Sequence, residues 1–91
     1  MAVAFLVETP GGTQEQYDKV TEMLQISGKT FPGQIFHVAG PMEGGWRVVD
    51  VWESQEAFDN FLQTKLGPAL QEAGNPPPQT KVWPVHNILT P

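Results

Sequence analysis

Apolar residues fill nearly every position from Ala2 to Val7, the pattern of a strand covered on both faces in the middle of a sheet. Pro10-Gly11-Gly12 breaks the run, and Thr13 followed by Gln16 has the form of a capping box at a helix start. Tyr17, Val20 and Leu24 recur at helical spacing with Met23 beside them, while Glu15, Asp18, Lys19 and Glu22 take the wet side. This spacing predicts a one-sided helix ending near Gly28. Ile35-Phe36-His37-Val38, within residues 31–40, is β-branched and aromatic and reads as a second strand. A turn over Pro41 to Gly45 joins it to a third strand, Trp46 to Trp52, as an antiparallel hairpin. Ser54 can cap a second helix whose apolar stripe is Ala57, Phe58, Phe61, Leu62 and Leu66. Gly67-Pro68 is expected to interrupt that helix, because proline lacks the amide donor and clashes with the preceding turn, leaving Ala69 to Ala73 as a separate short piece. Gly74 to Pro78 is a stiff connection, and the last strand is expected from Thr80 to about Ile88, with Pro84 requiring a sheet edge or a bulge.

The order β-α-β-β-α-β is that of the split β-α-β, or ferredoxin-like, α+β fold: a four-stranded antiparallel sheet with two helices on one face. Right-handed crossovers place the first and third strands at the centre. Along the third strand Trp46, Val48 and Trp52 share one side while Val49 and Val51 share the other, so the face without helices is apolar too. A monomer rarely leaves such a face bare. A second copy packed face to face would cover it as a homodimer, and a space between the two faces would make a ligand cavity.

Composition narrows the function classes. With 91 residues and 40% hydrophobic content, residues 1–91 make one domain with a thin core. The net charge of -5 and the scatter of Arg47 and the four lysines argue against nucleic acid and anionic membrane as partners. No apolar stretch is long enough to span a bilayer, and the start lacks the features of a signal peptide, so a cytoplasmic protein is expected. There is no cysteine, and two histidines without metal-ligand spacing make no metal site. No cofactor is expected either, since phosphate-binding and dinucleotide glycine motifs and the nucleophile elbow are absent.

The stretch Gly45-Trp-Arg-Val-Val-Asp-Val-Trp-Glu-Ser-Gln-Glu-Ala-Phe-Asp-Asn-Phe61, a hydrophobic strand running through Trp-Glu-Ser into a helix with Ala-Phe, resembles the dimeric α+β barrel superfamily, in particular the small antibiotic-biosynthesis-monooxygenase-like proteins. The resemblance implies sheet-to-sheet dimers, with a pocket in each subunit between sheet and helices. The activities it implies are cofactor-independent oxygenation of polycyclic phenols, heme breakdown, related small-molecule chemistry, and accessory roles with no established reaction. In the heme-degrading branch a tryptophan matching Trp52 lines the cleft, but the histidine placed late in the second helix has no counterpart in Pro68 to Gly74. The asparagine usual in the first strand of the oxygenases is also missing.

The candidate chemistry follows from few residues. His86 and His37, on the fourth and second strands, could remove a phenolic proton, and as opposite sheet edges they could meet across a two-fold between chains. Asp50 lies on the same side of the third strand as Trp46 and Trp52, and could fix a hydroxyl or accept a proton between aromatic walls. Trp52, Trp46 and Tyr17 are candidate contacts to a flat hydrophobic or aromatic ligand, each with an ordinary core role as its alternative. Asp50 could otherwise pair with Arg47 or face water. The expected function is that of a small-molecule enzyme resembling cofactor-independent monooxygenases that act on an aromatic or polyketide-like compound. The alternative is a non-catalytic ligand-binding or accessory protein of the same fold.

Overall fold

The computed structural model describes residues 1–24, 30–74 and 76–89. Strand β1 spans Val3–Pro10, helix α1 Gln14–Met23, β2 Gln34–Met42, β3 Gly45–Trp52, helix α2 Gln55–Phe61, helix α3 Gly67–Ala73 and β4 Gln79–Pro84. A π-helical stretch, Leu62–Leu66, joins α2 to α3. The four strands form one antiparallel sheet in the order β2-β3-β1-β4, with β1 and β3 central. This is the ferredoxin-like architecture that the element order predicts.

Local chemistry sets the boundaries. Thr13 and Gln16 close a reciprocal capping box at the start of α1, with bonds of 3.1 and 3.2 Å that satisfy two otherwise unpaired amides. The expected end of that helix near Gly28 lies outside the described residues. Ser54 caps α2 through the Ala57 amide at 3.1 Å. The hairpin is tighter than expected: β2 runs on to Met42, and Glu43-Gly44 alone makes the turn, with Gly44 at φ 74°, a left-handed conformation that costs glycine nothing.

Two expectations are corrected. Gly67-Pro68 does not interrupt the helix. The Gly67 amide bonds the Leu62 carbonyl five residues back, and this wider turn makes room for the Pro68 ring. Gly67 itself must be small, because a Cβ there would lie 2.8 Å from the Leu62 oxygen. The last strand, for its part, stops at Pro84 and does not reach Ile88. Proline offers the ladder no donor, and beyond it the Val85 amide bonds β1's flank at the Ala2 carbonyl.

The core lies where the helices meet the sheet. Phe5 and Trp52 are fully enclosed, and Phe58 and Phe61 from α2 close over them. The Phe5 and Phe58 rings stack at 4.0 Å, and Trp52 lies 5.1 Å from Phe61. The other sheet face has no helix. Phe36, Val38 and Trp83 are exposed there, between 45 and 49%, and the stretch after β4 lies beside part of it. Among the described residues no helix is long and apolar enough to cross a membrane.

Candidate functional site

A cavity of about 480 Å³ opens between α1, α3 and the β2–β3 half of the sheet. Aliphatic and aromatic side chains such as Val20, Leu24, Phe31 and Leu70 make most of its wall. Its polar end draws on three elements: Tyr17 on α1, His37 on β2, and Trp46 and Asp50 on β3. This space lies within one subunit, on the helix side. A hollow on the open face lies beside the chain after β4.

The polar groups form a chain. Asp50 Oδ1 is 2.5 Å from His37 Nδ1, and His37 Nε2 is 2.6 Å from the Tyr17 hydroxyl. Asp50 is buried, and its carboxylate also accepts from Gln34 Nε2 at 3.3 Å and from Trp52 Nε1 at 3.5 Å. A buried carboxylate needs such donors, since removal from water without them would cost several kcal/mol.

One proton in this chain can be placed. Burial pushes the Tyr17 hydroxyl above its ordinary value of 10.0; a Thr21 side-chain hydrogen bond works the other way, and the negative charges of Asp50 and Asp18 add to the rise. Tyr17 therefore keeps its proton at neutral pH. Its hydroxyl donates to His37 Nε2 in the tautomer whose ring proton is on Nδ1 and donated to Asp50. The ring stacks nearly parallel to Tyr17, 11° between planes, which fixes its tilt.

Because Tyr17 is the sole tyrosine, its ionisation can be followed alone through the phenolate absorbance. The midpoint is expected above 10.0 in the folded protein and at the ordinary tyrosine value in urea. The sign for stability follows: a raised folded value favours the protonated native state, so this contribution is complete below about pH 10 and is lost as pH rises through the folded midpoint. A folded midpoint at or below the urea value would mean that the hydroxyl is neither buried nor near those charges.

Of the residues singled out from the sequence, the fold brings Tyr17, His37, Asp50 and Trp46 to one cavity. Trp46 tilts against Tyr17 at 5.2 Å, and its indole N–H is buried without a partner among the described residues. Trp52 is placed differently from expectation. It is wholly enclosed in the core behind the wall, where its N–H holds Asp50 but no ligand can touch its ring. His86 is also displaced. The strand ends before it, and it lies with Trp83 and Phe36 on the open face, while the His37 ring is committed to Asp50 and Tyr17 on the helix face. Within one chain the two rings therefore lie on opposite faces of the sheet. Arg47 does not pair with Asp50 either, since it points to the other face and forks onto Glu8 at 2.8 and 3.1 Å. Gln34 is the polar contributor that the periodicity does not reveal.

No family model matches the chain, and no curated protein does so at a significant level. Solved structures do resemble it over almost its whole length. SnoaB, a cofactor-independent oxygenase from Streptomyces nogalater, superposes with a TM-score of 0.67 at 15% identity, covering 97% of this chain and 96% of that one. An inferred antibiotic biosynthesis monooxygenase from Deinococcus radiodurans gives 0.65 at 10% identity, with 99% and 97% covered. Another, from Chloroflexus aurantiacus J-10-fl, gives 0.58 at 18% identity, with 94% and 96% covered. At such identities the likeness speaks for the backbone alone. The chain therefore has the ferredoxin-like α+β fold of the antibiotic-biosynthesis-monooxygenase-like proteins.

Proposed function

We propose that this protein is a small-molecule enzyme of the cofactor-independent oxygenase kind, which takes a proton from the hydroxyl of a flat phenolic compound held in the cavity. The observation that carries this reading is the Tyr17–His37–Asp50 chain, which brings a buried carboxylate, an imidazole and a phenol into hydrogen-bond contact at the polar end of an otherwise apolar space. The apolar wall suits a flat ring system.

The proton step follows from the protonation states. Tyr17 passes its proton to His37 Nε2 as it takes the one from the ligand hydroxyl, so it never rests as phenolate. The imidazolium that forms is stabilised by Asp50 on its other nitrogen. The ligand phenolate is rich enough in electrons to reduce dissolved dioxygen. For α-naphthol the balance is simple: one ring carbon takes one oxygen atom as a carbonyl. The two hydrogens lost, from that carbon and from the hydroxyl, leave with the second oxygen atom as water, and a naphthoquinone remains. SnoaB, a structural neighbour, is described as a cofactor-independent oxygenase, which is the chemistry this reading assigns.

Two probes test it. Para-nitrophenol should bind and turn yellow at a slightly acidic pH where the free phenol is mostly protonated, and α-naphthol should drive oxygen uptake. Binding with ionisation but no uptake would leave a binding protein, the alternative of the sequence reading; if the phenol is not ionised on binding, the proton-acceptor reading is wrong.

The same reading gives the open sheet face to a second copy of this chain, because Phe36, Val38 and Trp83 stand exposed together on it. Sedimentation at micromolar concentration is expected to give twice the 10.0 kDa chain mass, and Phe36→Glu with Val38→Glu should return it to one. A single-chain mass for the unaltered protein would rule out this cover.

A further inference from the structure

Strand β2 carries one irregularity, and it falls beside the relay. Gln34 pairs with Trp52 and His37 pairs with Asp50, with the register shifting between Gln34 and Phe36. In a regular strand, side chains alternate between faces, so positions 34 and 37 would point to opposite sides. The bulge at Ile35 cancels that alternation. Both Gln34 and His37 reach the helix side, and both bond the same oxygen, Asp50 Oδ1, at 3.3 and 2.5 Å.

A second bond fixes which end of the Gln34 amide faces the carboxylate. Its Oε1 accepts the Phe31 amide at 3.1 Å. Turned over, the side chain would set its NH₂ against that N–H and its oxygen against the carboxylate, losing both bonds. Gln34 is therefore held from behind by the backbone and offers a fixed donor forward. Asp50 Oδ2 is held from the opposite side by Trp52 Nε1, so the plane of the carboxylate is clamped at both oxygens.

We propose that Gln34 is a positioning residue of the relay: its amide holds Asp50 Oδ1 against His37 Nδ1 and so keeps the imidazole proton on Nδ1, with the Nε2 lone pair toward Tyr17 and the cavity. In its catalytic consequence this rests on the reading of His37 as proton acceptor. The groups that face His37 are Asp50 from β3 and Tyr17 from α1; the described residues of α2, the π stretch and α3 that line the cavity, namely Phe58, Phe61, Leu66 and Leu70, bring no charge. The tautomer is thus decided between one carboxylate and one phenol, and losing the clamp on the carboxylate shifts that balance.

Gln34→Met keeps the length of the side chain and removes the donor. Nitrogen NMR of the histidine rings reads the tautomer directly. His37 should be almost wholly in the Nδ1–H form in the unaltered protein, and the ratio of that form to the Nε2–H form should fall several-fold in the variant. With α-naphthol, kcat should drop roughly tenfold while KM stays close to its original value, as expected when a base is misaligned and the ligand wall is untouched. An unchanged tautomer ratio in Gln34→Met overturns the proposal whether or not naphthol is consumed. The failure of the function reading has a different mark, absence of phenol ionisation by the unaltered protein. Should the variant not fold, the unaltered protein still decides: the Gln34 side-chain amide protons should exchange slowly with solvent, and exchange at the rate of a free glutamine would refute the clamp.

Discussion

Replacing His37 by alanine is expected to lower the rate of α-naphthol consumption by about two to four orders of magnitude, the usual contribution of a positioned general base. In the proposed step the ring receives the ligand's proton by way of Tyr17 and is backed by Asp50, so its loss removes the acceptor and leaves a buried carboxylate with no imidazolium to stabilise. The His37 side chain is itself 31% exposed, so the variant should fold and keep its affinity for an apolar ring, and the loss should appear in kcat. Asp50→Asn should cost nearly as much for a different reason. An asparagine carries no charge to stabilise the imidazolium that forms when His37 takes the proton. Para-nitrophenol should then bind to both variants without turning yellow. A His37→Ala protein that still ionised the bound phenol would show that another group takes the proton, and the relay would lose its function.

How far this site could be read in advance depended on which residues obey strand periodicity. Asp50 was legible, because β3 is regular and a carboxylate four positions after Trp46 and two before Trp52 must share their side. Tyr17 was legible for the same reason on α1, where it falls on the apolar stripe. Gln34 was not, since a bulge is a matter of how β2 meets β3 and leaves no mark in alternation. Without the bulge, one would have put Gln34 and His37 on opposite faces. His86 was misplaced because Pro84 was read as tolerable within a longer edge strand, whereas it ends the ladder and lets the chain leave the sheet plane. The helix caps were plain from local signals, since each depends on residues within a few positions of one another, and the strand order followed from the element order and the hand of the crossovers.

The fold likeness and the site carry separate weight. The backbone agrees with oxygenases and inferred monooxygenases across nearly the full chain, yet the polar groups on which the proposed reaction rests are read from its own side chains. Strand β1 lends the cavity Val7 and Thr9, so among the described residues its ionisable side chains come from α1, β2 and β3. In the proposed reaction the proton therefore goes to the histidine–carboxylate–tyrosine chain. That is why the tests above read proton positions as well as turnover.

Trp52→Ala should be the most damaging single change to stability, at about 3 to 5 kcal/mol, the range for emptying a large aromatic from a closed core. The side chain is 0% exposed and packs against both Phe58 and Phe61, so nothing can relax into the space without moving α2. A chain of 91 residues has a total of roughly 5 to 14 kcal/mol, so this one truncation could remove half or more of it. Trp52→Phe separates packing from polarity. It refills most of the volume but removes the N–H that Asp50 Oδ2 accepts, and should cost about 1 to 3 kcal/mol, the price of a buried acceptor left short of a partner. Urea unfolding of the three proteins at equal slope would rank them in that order. If phenylalanine costs as much as alanine, the indole N–H dominates and Asp50 is held chiefly through it. A loss below about 1 kcal/mol for alanine would mean that Trp52 is not the centre of this core, and that the floor beneath the relay is built from something else.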